Sequence, residues 1–305
     1  MLKTIKPYIY HKIKAFYAGD KYLYHRSLSR NFDFSKPLVL IYTMGKVGST
    51  SVYESLKNNT SQFNVIHVHT LSSVYLKVRE RFIKKVVYKN KYYARHIYTT
   101  LLWKPIWVRK SLKKVIKPIH IVTVIREPIG RNISLFFQWL EFEERQNTYV
   151  FKSRNNNYPF HITTSKDDLT ELYIFFLECF AKESHNDWLQ DELNSVFDYN
   201  ILQIPFDKKN NFTIYENNGH RLLILKLEKM NDTFEPAIAA FLAEEIAMSR
   251  ANEASTKNIN LIYKKFKTGL YLPESYIDTL YASEYVNHFY TIEEIESFKS
   301  KWKTS

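Results

Sequence analysis

Residues Leu38-Val-Leu-Ile-Tyr-Thr-Met-Gly-Lys-Val-Gly-Ser-Thr-Ser-Val52 decide how the chain is read. An apolar run, residues 38–43, meets a glycine turn, after which Val52 and Leu56 recur four apart, as on one face of a helix. Strand, turn and helix N-terminus present converging backbone N–H groups and the positive end of a helix dipole, an arrangement that holds phosphate. The position of the lysine narrows the choice. A nucleoside-triphosphate loop reads G-x-x-x-x-G-K-[ST], with lysine directly after the last glycine, where it reaches the β and γ phosphates. In Gly45-Lys46-Val47-Gly48-Ser49-Thr50 the lysine comes first, and the third strand runs into Arg126 rather than an aspartate placed to hold magnesium. A lysine at the start of the turn can stand beside the bridging oxygen of a departing phosphate while Gly48, Ser49 and Thr50 hold its other oxygens, which suits sulfuryl transfer.

Three further apolar runs, residues 64–69, 120–125 and 222–227, are dominated by Val, Ile and Leu without clean polar alternation, as expected of parallel strands covered on both faces. Helical patterns lie between them: 51–57, 132–143 with Leu135, Phe136, Trp139 and Leu140 on one side, and an apolar stripe over 169–180. The alternation predicts an α/β fold, a P-loop-like doubly wound parallel sheet flanked by helices, with a helical C-terminal part. There Pro236 is expected to begin a helix, and Thr291-Ile-Glu-Glu294 reads as the capping box of the last one. Residues 1–36 read as a basic and aromatic extension, and 37–305 as a single domain carrying a basic insert at 77–117 and a polar loop or lid at 145–166.

The formal charge of +13 is concentrated: 14 Lys/Arg against the single acid Glu80 fall within 77–117, an excess of 13. Tyr92, Tyr93, Tyr98, Trp103 and Trp107 alternate with these cations, so the segment reads either as a solvated helical face or as a surface for a polyanion, an acidic membrane or nucleic acid. Only 6 glycines and 9 prolines beside 16% aromatic residues argue against a disordered chain. The lone Cys179, in an amphipathic run, reads as a core residue and leaves neither a disulfide framework nor a cysteine metal site. No unbroken apolar run near the N-terminus resembles a leader or anchor, so a cytoplasmic location is expected, with peripheral contact at a membrane's inner face through the basic segment.

Strand 120–125 runs into Arg126-Glu-Pro-Ile-Gly-Arg-Asn-Ile-Ser134. An arginine at a strand's C-terminal end can grip phosphate bidentately, Ser134 adds a hydroxyl from the next helix, and Arg131 is a further contact. Together with Lys46, Gly48, Ser49 and Thr50, this resembles the sulfotransferases that use 3′-phosphoadenosine-5′-phosphosulfate. Their first motif is a strand, a Lys-x-Gly-[ST]-[ST] loop and a helix, and their Arg-[DE]-Pro start and a serine eight residues on bind the 3′-phosphate. Arg221 to Glu228 and Phe234 to Leu242 resemble the late strand and helix of these enzymes. More narrowly, Asn186-Asp-Trp188 to Phe206-Asp207, Tyr263-Lys-Lys-Phe-Lys267 and Tyr281-Ala-Ser-Glu-Tyr-Val-Asn-His-Phe-Tyr290 resemble the bacterial capsular polysaccharide sulfotransferase-like family. The resemblance implies sulfuryl transfer to a carbohydrate hydroxyl of a capsular or other surface polysaccharide, acidic or lipid-linked. It implies a donor site of Gly45, Lys46, Val47, Gly48, Ser49, Thr50, Ser51, Arg126 and Ser134, with Lys46 also catalytic. A glycine-rich C-terminal nucleotide loop is not recognisable, and Lys257, Lys264, Lys265 and Lys267 are candidates in its place.

Transfer to an alcohol needs a base. Strand alternation puts His67 and His69 on one side, with His69 nearer the C-terminal edge where parallel sheets bind ligands, so His69 is the first choice and His67 the second. Glu54 and Glu228 remain alternatives. A His-x-His pair without a third ligand at suitable spacing, and a reaction that positive charge can support, lead us to expect no metal. Two other classes stay open: a nucleotide-dependent kinase needing magnesium and ATP, and a non-catalytic polyanion- or nucleic-acid-binding protein. For nucleic acid only charge speaks, since neither a zinc-finger spacing nor an RNA-recognition signature is present, and no specific nucleic acid is expected.

Overall fold

The computed structural model describes residues 7–85, 91–146, 166–179, 186–249 and 257–303. Its sheet has five strands: β1 (Leu38–Tyr42), β2 (Asn64–Val68), β3 (Ile119–Ile125), β4 (Phe212–Asn217) and β5 (His220–Lys226). Their order is β2-β1-β3-β5-β4. The first four in that order run parallel, and β4 pairs antiparallel with β5. Every residue of β1 and β3 is buried, which is why their sequences are unbroken apolar runs. The edge strand β4 was not foreseen, so the sheet is mixed rather than wholly parallel. Its hairpin turns at Asn218 and Gly219, both left-handed with φ of 49° and 70°, the Asn-Gly signature of a type I′ turn.

Fourteen helical segments surround the sheet among the described residues: α1 (Pro7–Arg30), α2 (Ser49–Asn59), α3 (Ser73–Lys85), α4 (Lys91–Tyr98), α5 (Lys104–Ser111), α6 (Pro128–Gln146), α7 (Lys166–Cys179), α8 (Asn186–Trp188), α9 (Ser195–Phe197), α10 (Met230–Leu242), α11 (Lys257–Gly269), α12 (Glu274–Tyr281), α13 (Glu284–Phe289) and α14 (Ile292–Lys303). Wide π-helical turns, Thr99–Trp103 and Leu189–Asn194, join α4 to α5 and α8 to α9. The chain leaves β1 for its neighbour β2, then crosses back to β3 on the other side of β1. Connections diverge at the carboxyl ends of β1 and β3, and that divergence opens the crevice where doubly wound sheets bind ligands.

One expectation needs correction, and two others meet the structure only in part. Pro236 lies inside α10, not at its start. Met230, Thr233, Phe234, Ala237, Ile238 and Phe241 form one buried stripe through that helix, and their burial outweighs the hydrogen bond that proline removes. Of the aromatic residues of the basic segment, Trp103 and Trp107 are buried and Tyr98 packs beside Trp103, while the side chains of Tyr92 and Tyr93 lie outside the described residues. Trp107 packs in the main core, while Leu76 and Ile83 of α3, Ile97 of α4, and Leu102 and Trp103 of the π turn build a satellite core. Helix α1 closes that core, with His25 Nε2 donating to the Trp103 carbonyl at 2.9 Å and Trp107 Nε1 to Ser29 Oγ at 2.9 Å. Lastly, Arg145 belongs to α6 and Lys166 to α7, while the rest of the expected lid, 147–165, lies outside the described residues, as does the side chain of Cys179. Among the described residues no helix is long and apolar enough to cross a membrane.

The capping box exists as read, with Thr291 N–H donating to Glu294 Oε2 at 2.9 Å and Glu294 N–H to Thr291 Oγ1 at 3.2 Å. The same carboxylate accepts from Lys226 Nζ at 2.8 Å, at the end of β5, where the lysine is fully buried. Removing one partner strands the other charge. Glu294→Ala should therefore destabilise the fold by about 3–5 kcal/mol, whereas Lys226→Met with Glu294→Gln, which keeps the cap, should lose far less. Urea unfolding of the two variants checks this; equal losses would show that burial of the lysine charge is not the dominant factor.

Candidate active site

Between β1 and α2 the backbone turns left-handed twice, at Lys46 with φ of 69° and at Gly48 with φ of 80°. A side chain at Gly48 would be strained by that φ and would also press on Leu227, its Cβ falling 2.5 Å from Leu227 Cδ1. Two arginines hold the turn through its carbonyls. Arg126 Nη1 donates to the Lys46 carbonyl at 2.8 Å, and Arg131 Nε to that of Gly45 at 3.3 Å. Helix α2 begins at Ser49 with Gly48 as its N-cap and no side-chain cap, so its first N–H groups are offered to an anion. Ser49 is buried, Thr50 is exposed, and Ser51 donates its N–H to the Gly48 carbonyl at 3.2 Å.

Arg126 Nη1 also donates to Ser134 Oγ at 2.9 Å, so Lys46, Arg126 and Ser134 meet at the crevice between β1 and β3. The residue after it explains the Glu-Pro that follows. The Glu127 carboxylate accepts the N–H groups of Ile129 at 3.0 Å and Gly130 at 2.7 Å, capping α6, with Pro128 in the first helical position. Gly130 has no Cβ because one would collide with that carboxylate. The C-terminal helices brace the turn from behind. Tyr281 Oη donates to Glu127 Oε2 at 2.8 Å, while Tyr285 Oη accepts from the Arg126 N–H and donates to its carbonyl, each at 3.1 Å.

His67 and His69 lie side by side, their ring centroids 4.5 Å apart. Val68 pairs with Tyr42 in the last register of β2, so His69 stands just past the strand end, beside the glycine turn. Its Nδ1 is 2.8 Å from the Thr43 carbonyl. A carbonyl only accepts, so Nδ1 carries the proton and Nε2 keeps its lone pair. Burial pushes the His69 imidazole down to about 4 despite that bond, and the charges of Arg79, Lys104 and Lys46 add to the effect. His67 is pushed lower, to about 3, by burial, then by His69 and Lys104, and its Nε2 is buried without a hydrogen-bond partner among the described residues. Among the alternative bases, Glu54 lies half-buried on α2. Glu228 accepts the Glu127 N–H at 2.8 Å and the Tyr290 hydroxyl at 3.2 Å, and burial raises its carboxyl above the usual range. Lys264, Lys265 and Lys267 lie on α11, and the side chain of Lys257 is outside the described residues.

Several residues that build the site were not singled out from the sequence. Trp188 Nε1 donates to the His69 carbonyl at 3.0 Å and its ring meets Tyr42 edge-on, 5.3 Å between centroids. Glu192, on the π turn after α8, is buried and accepts the N–H groups of Leu71 at 2.7 Å and Ser72 at 2.8 Å together with the Tyr42 hydroxyl. It fixes the loop that carries His69. A carboxylate on a π-helical turn has no sequence spacing by which to find it.

Residues 163–291 match a family described as "Putative capsular polysaccharide synthesis protein". All three stretches read as capsular-family-like lie in that interval, as do Trp188, Glu192, Glu228, Tyr281 and Tyr285; the glycine turn and Arg126 lie before it. No curated protein matches the chain. Among solved structures, the crystal structure of mouse sulfotransferase SULT7A1 complexed with PAP aligns at 15% identity over 87% of this chain and 82% of that one, with a TM-score of 0.28. That superposition is too loose to transfer any feature.

The two histidines make a prediction about acid. Their folded pKa values lie below the ordinary 6.5, so the unfolded chain binds more protons once pH drops beneath 6.5. Stability they contribute is complete above that pH and lost as it falls through about 4 for His69 and about 3 for His67. His67→Phe should thus narrow the gap in urea midpoint between pH 7 and pH 4.5 relative to the parent; an unchanged gap would show that the ring is not held neutral.

Proposed function

We propose that the chain transfers a sulfuryl group from 3′-phosphoadenosine-5′-phosphosulfate to a hydroxyl of a carbohydrate, part of a capsular or other surface polysaccharide. The observation that carries this reading is the contact of Arg126 Nη1 with both the Lys46 carbonyl and Ser134 Oγ, at 2.8 and 2.9 Å. It gathers two motifs, 80 positions apart, at one point of the crevice, on a turn with two left-handed residues and beside a helix with no side-chain cap. These residues suit a dianionic nucleotide: Arg126 uses only Nη1 in side-chain hydrogen bonds among the described residues, leaving Nε and Nη2 for a 3′-phosphate. The similarity of residues 163–291 to capsular polysaccharide synthesis proteins supports a glycan acceptor.

On this reading Gly45, Val47 and Gly48 shape the turn, and the N–H groups of Ser49 and Thr50, the Ser51 hydroxyl and the Lys46 ammonium hold the phosphosulfate. Arg126 and Ser134 hold the 3′-phosphate, with Arg131 steadying the turn. The donor supplies the sulfuryl group and departs as 3′-phosphoadenosine-5′-phosphate. As the acceptor oxygen bonds to sulfur, the sulfur–oxygen bond to the phosphate breaks and its electron pair leaves with the phosphate, where Lys46 offsets the growing charge. The acceptor's proton passes to His69 Nε2, the nitrogen not committed to Thr43. His67, its Nε2 sealed from solvent, supports the ring, and Glu228 orders the Glu127 turn rather than receiving the proton.

Calorimetric titration with 3′-phosphoadenosine-5′-phosphate, without added metal, tests the donor. Binding should exceed that of 5′-AMP and fall by about ten- to a hundredfold in Arg126→Ala, with Ser134→Ala as the milder variant. Preference for ATP with magnesium would overturn the reading in favour of a kinase. Turnover separates the roles: Lys46→Ala should lose turnover while keeping more nucleotide affinity than Arg126→Ala. His69→Ala should lower kcat by about 10²- to 10⁴-fold with donor affinity little changed. If His67→Ala does this and His69→Ala does not, the base is misassigned.

A further inference from the structure

Lys104 opens α5, directly after the π turn Thr99–Trp103, a kind of turn that recurs at functional sites. The residue before it is pinned: Trp103 is buried, and its carbonyl accepts the His25 Nε2–H of α1. The ammonium of Lys104 lies 5.7 Å from the centre of the Tyr53 ring, and that of Lys57 lies 5.3 Å from the same ring. The Tyr53 ring in turn sits 5.7 Å from that of His67, which touches His69. Two ammonium groups are thus gathered about one aromatic ring, next to the pair of histidines. Lys104, Tyr53, His67 and His69 are each half-buried, while Ile66 and Val68 of the strand beside them are sealed.

Among the described residues no acid balances this charge. Neither lysine makes a hydrogen bond or ion pair with any of them, in contrast to Lys226, which is paired with Glu294. Burial and the charge of Lys57 both push the Lys104 ammonium below its usual range, the mark of a cation held where it is disfavoured. Arg79, whose charge also acts on His69, differs because the Glu192 carboxylate acts on it in turn. A half-desolvated cation beside a like charge is unfavourable in the empty protein and becomes favourable when an anion enters.

We infer that Lys104 and Lys57, around the Tyr53 ring, form a subsite for an anionic group of the acceptor saccharide, so that this site takes an acidic glycan rather than a neutral one. The inference deepens the sulfotransferase reading and rests on it for the word acceptor. The two ammonium groups, held over the ring, meet a carboxylate or a phosphate carried on the sugar. His69 links this subsite to the glycine turn: His67 lies between its ring and that of Tyr53, and its Nδ1 donates to the Thr43 carbonyl, two residues before Gly45. Helix α1 and the basic segment then serve the site as well, by setting Lys104 in place through Trp103.

The test titrates three probes of equal length into the protein, with and without 3′-phosphoadenosine-5′-phosphate: an uronate-containing oligosaccharide, a phosphate-bearing oligosaccharide and a neutral one. The expected result is about ten- to a hundredfold tighter binding of one acidic probe than of the neutral one, with the His67 and His69 ring resonances shifting on its addition. Whichever acidic probe wins identifies the anion. Lys104→Gln should remove most of that preference and Lys104→Arg should keep it, while affinity for 3′-phosphoadenosine-5′-phosphate stays the same in both. Equal binding of acidic and neutral probes, or no binding of any, overturns the subsite even if the nucleotide binds and the sulfotransferase reading survives. Loss of affinity for the intact phosphosulfate in Lys104→Gln, with acidic preference unchanged, also overturns it, by assigning the charge to the donor. If the nucleotide fails to bind but the acidic preference and its dependence on Lys104 persist, the subsite stands and the donor reading falls.

Discussion

One guanidinium nitrogen, shared between a backbone carbonyl and a serine hydroxyl, sets the geometry on which the crevice depends. Arg126 Nη1 ties the turn after β1 to the helix after β3, across the point where the sheet's connections diverge. That contact requires Arg126 to leave β3 in a fixed direction. Tyr285 fixes it by accepting the residue's N–H and donating to its carbonyl, so both backbone hydrogen-bonding groups of Arg126 are satisfied by one buried hydroxyl. Burial drives the Tyr285 hydroxyl far above its usual range, so it remains a donor across the accessible pH.

The same logic extends outward through carboxylates at the ends of strands and helices. Glu127 caps α6 and takes the Tyr281 hydroxyl, Glu228 takes the Glu127 N–H and the Tyr290 hydroxyl, and Glu294 takes Lys226 at the end of β5. Each is satisfied by a neighbour from another element, so the C-terminal helices and the strand ends specify one another. On the far side of the crevice Glu192 does for the loop after β2 what Glu127 does for the turn after β3. It gathers two N–H groups and a tyrosine hydroxyl, and thereby holds the segment leading from His69.

How much of this the sequence disclosed follows from the range of each interaction. Parallel strands sealed on both faces must be apolar throughout, so β1, β3 and most of β5 were visible, and a glycine turn between strand and helix is a local pattern. Arg126 and Ser134 lie on one element boundary and were legible together. The edge strand β4 has half-buried residues without clean alternation, and the Asn218-Gly219 turn was the signal that could have found it. Pro236 misled because its local preference for a helix start was overridden by the buried stripe on both sides of it. Trp188, Glu192 and Tyr285 act on His69, the loop after it and Arg126 across 119, 121 and 159 positions, and contacts at that separation leave no periodicity to read. At Trp103 and Trp107 alternation with lysine left a solvated face and a docking surface both open; the structure buries the two rings and leaves Lys104 between them half-buried.

The cationic surroundings of His69 also resolve a tension in its chemistry. An imidazole held at about 4 is neutral and ready to accept a proton at ordinary pH, but it is too weak a base to hold one well. After burial, the charges of Arg79, Lys104 and Lys46 contribute to that depression, and two of these three belong to the proposed donor and acceptor sites. Coulombic influence is reciprocal: an anion that neutralises Lys46, and another that neutralises Lys104, each remove a repulsion felt by the imidazolium. Base strength at His69 on the proposed reading is therefore conditional, low in the empty crevice and raised when phosphosulfate and an acidic acceptor are both seated. On the proposed reading that dependence comes from charges at the two substrate sites rather than from any movement of the fold.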